Sequence, residues 1–145
     1  MEKYDEILEK IRKYNNSIDT FMITPESYLY SIKLYKSKLF EHIEYSCDMV
    51  SIKEKEQLIE TLFNIVIITI NFLQILEKKN MEMIINENRT LFINKNKDYG
   101  DSFRDFELIG LIVRLNDKVN RLITLLEKKE TSCVNESLLD TLNDL

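Results

Sequence analysis

Two glycines and one proline are all that 145 residues offer for sharp reversals of the backbone. Sheets and loop-rich folds need such residues at almost every turn. The shortage leaves a few long helices with few connections as the architecture open to this chain. Alanine is absent, while isoleucine, lysine, asparagine and leucine abound. The length suits one domain with one core.

Helical spacing of apolar residues recurs along the chain. Tyr4, Ile7, Leu8, Ile11 and Tyr14 mark a short first helix over 3–15. A polar linker follows over 15–24, with Asn15, Asn16, Ser17, Asp19 and Thr20. Thr24-Pro25-Glu26 opens a second helix: Thr24 can cap it, Pro25 fits its first position and Glu26 suits its positive end. This helix should run to about residue 47 and bury Tyr28, Ile32, Tyr35, Leu39 and Ile43.

Ser51-Ile52-Lys53-Glu54 has the form of a capping box. The helix it begins reaches about Lys78 and is apolar nearly all round from Leu62 to Leu76. That run of about 15 residues falls short of the roughly 20 that cross a bilayer. Asn64, Thr69, Asn71 and Gln74 also interrupt it, so it reads as a central core helix.

A fourth helix over 81–95 gathers Ile84, Ile85, Leu91 and Phe92 on one side and ends in a polar turn around Gly100. Leu108, Ile112, Leu115, Val119, Leu122 and Leu126 then alternate spacings of four and three, the pattern of a bundle seam. A last helix from Glu136, capped by Asn135, carries Leu138, Leu139 and Leu142. The sum is one all-α domain over 1–145, a five- or six-helix bundle. If part of the seam stays open, the chain forms a homo-oligomer.

Net charge is −5 with both signs interleaved. No basic stripe neutralises a duplex backbone, so duplex nucleic acid is not expected as a partner. Cys47 and Cys133 lack metal spacing and read as reduced thiols, as in a cytoplasmic protein. The N-terminal residues have no signal-peptide pattern, and no membrane partner is expected. With one histidine, His42, a Ser-His-Asp or zinc site has little to stand on. Glu41 with Glu44, and Glu56 with Glu60, read as solvated acidic pairs.

Two charged groups remain. On the helix from Leu108, Arg114, Lys118 and Arg121 fall within about 60° of one another, with Asp117 beside Arg114. They border the apolar seam. Local ion pairs between Asp117 and Arg114 or Arg121 account for them on a wetted surface. An arginine fork facing a phosphate accounts for them as a site. On the last helix, Glu136, Asp140 and Asp144 repeat every four residues. Their repulsion would be relieved by a hard cation such as Mg²⁺; as an exposed helix start they explain Glu136 well and Asp144 poorly. In the turn, Gly100, Ser102 and the following backbone N–H groups could receive an anion. Tyr99 and Phe103 could stack on a base or fill the core.

Three stretches share an order and spacing: Asn96 to Phe103, Arg114 to Leu122, and Glu136 to Leu145. Together they resemble the nucleotide modification associated domain 1 family over about residues 85–145; residues 1–80 bring no such match. The pattern is also similar, more distantly, to the MazG-like all-α nucleoside triphosphate pyrophosphohydrolases. The resemblance implies nucleotide metabolism or modification in a phage or bacterial setting, with a nucleotide or nucleoside triphosphate as partner. It implies Mg²⁺ on Glu136, Asp140 and Asp144, and catalytic roles for Asp117, Glu136 and Asp140. Arg114, Lys118, Arg121, Tyr99 and Ser102 would then contact the nucleotide. MazG-type enzymes place E-x-x-E where this chain has Arg114-x-x-Asp117-Lys118. The rival expectation is a non-enzymatic helical interaction protein, dimerising or binding a host factor in the manner of a viral protein.

Overall fold

A computed structural model describes residues 2–16, 24–45, 52–99, 108–128 and 136–145. Six helices occupy them: α1 (Glu2–Asn16), α2 (Pro25–Tyr45), α3 (Ile52–Glu77), α4 (Met81–Tyr99), α5 (Leu108–Glu127) and α6 (Glu136–Asp144). No strand occurs among the described residues, so the all-α expectation holds.

The centre is α3, which packs against α1, α2, α4 and α6. Its all-round apolar surface is the reason, since a helix apolar on every side must be covered on every side. One group of core residues joins Tyr28, Ile32 and Leu39 of α2 to Ile65, Phe72 and Leu73 of α3, and on to Val119 and Leu122 of α5 and Leu142 of α6. A second joins Leu8 and Ile11 of α1 to Ile67 of α3 and Ile85 of α4. By length and composition α3 could also cross a membrane; here much of it is core.

Tyr28 and Phe72 stack at the middle with ring centroids 4.4 Å apart. The Tyr28 hydroxyl and the Thr69 hydroxyl hydrogen-bond at 2.9 Å, so neither polar group is buried unpaired. Burial pushes the Tyr28 phenol above its ordinary range, against the pull of that hydrogen bond.

Local chemistry sets several helix ends. Thr24 Oγ1 accepts from the Ser27 N–H at 3.1 Å and the Ser27 hydroxyl oxygen accepts from the Thr24 N–H at 2.9 Å, a reciprocal cap. Between α3 and α4, Lys78 takes a φ of 52°, and the Lys79 N–H bonds back to the Gln74 carbonyl at 3.2 Å. Asn80 then caps α4 through the Met83 N–H at 2.9 Å. The reversal is made by Lys78 without glycine. The Ser51 box, the Asn135 cap, Ile43, both cysteines and the residues around Gly100 lie outside the described residues or side chains.

Two expectations need correction. The fourth helix does not stop at 95 but runs to Tyr99, so Asn94 to Asp98 are helical. Continuous hydrogen bonding outweighed the loop-forming preference of Asn94 and Asn96, and Lys95 gained a fixed direction. Ile7, one of the residues that mark the apolar spacing of α1, is 48% exposed. The seam of α5 is filled within one chain: Ile112, Val119 and Leu122 are buried, with Leu115 and Leu126 packed beside them. That seam therefore carries no argument for a second copy.

Phe72 touches the core at its centre, so Phe72→Ala should cost about 3–5 kcal/mol. Chemical denaturation should show a lower midpoint at this scale, whereas the exposed Tyr30→Ala should change it little.

Candidate phosphate site at the junction of three helices

Three helices deliver one charged side chain each to a single point. Lys95 of α4 donates to Asp144 Oδ1 at 2.9 Å, and Lys118 of α5 donates to Asp144 Oδ2 at 3.3 Å. Lys95 reaches this point because α4 continues past residue 94. Lys118 reaches it because it flanks the seam on the side where α6 packs against α5. Leu142, buried two residues earlier, anchors the last turn of α6. Partial burial by itself would raise the Asp144 carboxyl. The two ammonium groups outweigh it and hold the group below the usual carboxylate range.

Of the other sequence-derived site residues, Arg114, Asp117 and Arg121 lie on the exposed side of α5, and Asp140 is exposed on α6. Arg114, Lys118 and Arg121 thus share one helix, and Lys118 reaches α6 through Asp144. The backbone of Tyr99 ends α4 and that of Glu136 begins α6; their side chains, and all of Ser102, lie outside what is described. Among the described residues no group of three or more His, Cys, Asp or Glu side chains is placed to hold a metal ion. Asp144 faces two cations instead. A Mg²⁺ ion at Asp144 would have to displace both lysines, so the described part of this site does not fit a divalent cation.

Next to the cluster lies a pocket of about 350 Å³ between α1, α3, α4 and α6. Lys95, Asn143 and Asp144 line it together with aliphatic side chains of all four helices. Two ion-pair forks hold α1 in place as one wall. Arg89 grips both oxygens of Asp5 at 2.8 and 3.2 Å. Arg12 grips both oxygens of Glu82 at 2.9 and 3.2 Å. Tyr4 stacks on Phe92 with centroids 4.4 Å apart and planes 13° from parallel. Sequence reasoning missed Lys95, Asn88 and the Tyr4–Phe92 pair. The signal for Lys95 was its place seven residues after Asn88 and four after Leu91, on an uninterrupted α4 face.

Residues 95–145 match the family model for nucleotide modification associated domain 1. The matched stretch holds Lys95, Lys118 and Asp144 alike. No curated protein and no solved structure matches the chain.

Asp144 is held below the ordinary carboxylate range by its lysines, and Asp5 by its hydrogen bond to Arg89. Both have folded pKa values below their unfolded ones, so the unfolded chain binds more protons in acid. Stability from these pairs is present above about pH 4 and lost as pH falls through the folded pKa values. Thermal melts from pH 6 to pH 3 should show a loss of stability in acid that is shallower in Asp5→Asn/Asp144→Asn. An unchanged slope in the double variant would contradict the assignment.

Proposed function

We propose that the protein binds a nucleotide, with the phosphate on Lys95 and Lys118. The observation that carries this reading is their convergence on one carboxylate. Two oxygens on one carbon lie about as far apart as two on one phosphorus, so the pair that grips Asp144 is spaced for a phosphate. The family match points the same way, since it covers the whole cluster and is named for nucleotide modification. Arg114 and Arg121, exposed on the same helix as Lys118, extend the positive surface for further oxygens.

Asp144 then serves as the resident anion of the empty site. An incoming phosphate replaces it on the two lysines, while buried Leu142 keeps the last turn of α6 in the core. Asp117 and Asp140 stand on the exposed surface nearby. In a hydrolytic version of this reading they would orient water toward the phosphoryl group. The lysines already supply the countercharge that a bound phosphate needs.

Titration calorimetry of the full chain with nucleoside mono- and triphosphates, with and without Mg²⁺, tests the proposal. Lys95→Met and Lys118→Met should each weaken binding by about tenfold or more, the scale of one lost charge-assisted hydrogen bond. Asp144→Asn should tighten binding, because the competing anion is gone. Binding that ignores both lysines would refute the site. Binding that requires Mg²⁺ in the wild type and is lost in Asp144→Asn would instead identify Asp144 as a metal ligand.

A further inference from the structure

We propose that the pocket between α1, α3, α4 and α6 receives the base and sugar of a nucleoside monophosphate whose phosphoryl group sits on Lys95. This rests on the phosphate reading above and extends it to residues outside the family match. The cavity and the lysine cluster are continuous, since Lys95 and Asp144 line both. A ligand that fills the two together has an anionic end on Lys95 and a body that lies among the side chains of four helices.

Three observations narrow its class. The volume of about 350 Å³ lies near the bottom of the range of about 300 to 1,000 Å³ that small-molecule sites span, so one nucleoside fits better than two. With Asp144 displaced, the two ammonium groups of the cluster balance a single phosphate dianion and leave the next two phosphates of a triphosphate without lysine partners there. The lining is not purely hydrocarbon. Asn88 and Asn143 lie side by side, the Asn88 amide nitrogen donating to the Asn143 oxygen at 3.3 Å, and the Tyr4–Phe92 stack adds aromatic surface. The amide nitrogens are already engaged, the Asn88 nitrogen also on the Ile84 carbonyl at 3.0 Å and the Asn143 nitrogen on the Leu139 carbonyl at 2.9 Å, so the aromatic pair is the surface against which a base would lie.

This gives the N-terminal helices a task. Ile7, Leu8 and Ile11 of α1 and Ile70 and Leu73 of α3 form the wall opposite α4 and α6. The exposure of Ile7 at 48% and Leu91 at 37% is explained, because both sit where the pocket meets solvent.

Calorimetry on the full chain compares the common nucleoside monophosphates with ribose 5-phosphate, inorganic phosphate and dodecyl phosphate. At least one nucleoside monophosphate should bind about tenfold or more tightly than ribose 5-phosphate. The double variant Ile7→Asn/Leu91→Asn, made at exposed positions and checked for an unchanged melting temperature, should remove most of that preference and leave ribose 5-phosphate binding intact. Equal affinity for the nucleotide and ribose 5-phosphate would overturn the pocket while the lysine site stands. So would a preference untouched by the double variant, or dodecyl phosphate outcompeting every nucleotide. If no phosphate ester binds, both the pocket and the phosphate reading fall.

Discussion

A helix with no polar side cannot rest on a surface, and α3 is such a helix. From Leu62 to Leu76 it turns apolar side chains in every direction, so α1, α2, α4 and α6 must each cover part of it. Each fully buried Leu, Ile or Phe contributes about 1.5–3 kcal/mol, which makes this coverage the main organising term. The Tyr28–Phe72 stack ties α2 to α3 and the Val119–Leu122 stretch of α5 closes the same core. The remaining features are placed by this packing, including the junction where Lys95, Lys118 and Asp144 meet.

That junction shows how a weak interaction becomes informative. An exposed ion pair is worth little, commonly under about 1 kcal/mol. Two lysines from different helices on one carboxylate are a different matter, because three elements of the fold are committed to one contact. The carboxylate balances charge that would otherwise repel, and it does so at the mouth of a cavity. A group arranged in this way can be exchanged for another anion without rebuilding the core. The α1 forks, Arg89 on Asp5 and Arg12 on Glu82, fix the far wall and keep the cavity from collapsing.

Much of the fold was legible in the sequence because apolar periodicity and glycine scarcity act locally. The stripes of α2, α5 and α6 and the Thr24 cap follow from neighbours within a few residues. The end of α4 was not legible. Asn94 and Asn96 favour turns on their own, and only the continuing helix shows that they do not turn here. Lys118 and Asp144 were recognised as charged and placed near a candidate site, but in separate roles: one toward phosphate, one toward a metal. Their pairing spans 26 positions, and no periodicity reveals such a contact. Lys95 escaped notice for the same reason, and so did the pocket, whose walls come from four helices.

The central claim is that Lys95 and Lys118 form one anion site. Lysine dimethylation keeps the positive charge and gives each ammonium a resolvable carbon-13 methyl signal. Spectra of the methylated protein, assigned by lysine-to-arginine substitution, should show the Lys95 and Lys118 signals moving together along one binding curve as a nucleoside monophosphate is added, while the other lysines stay put. Movement of other lysines in their place, or separate curves for the two, would contradict the account.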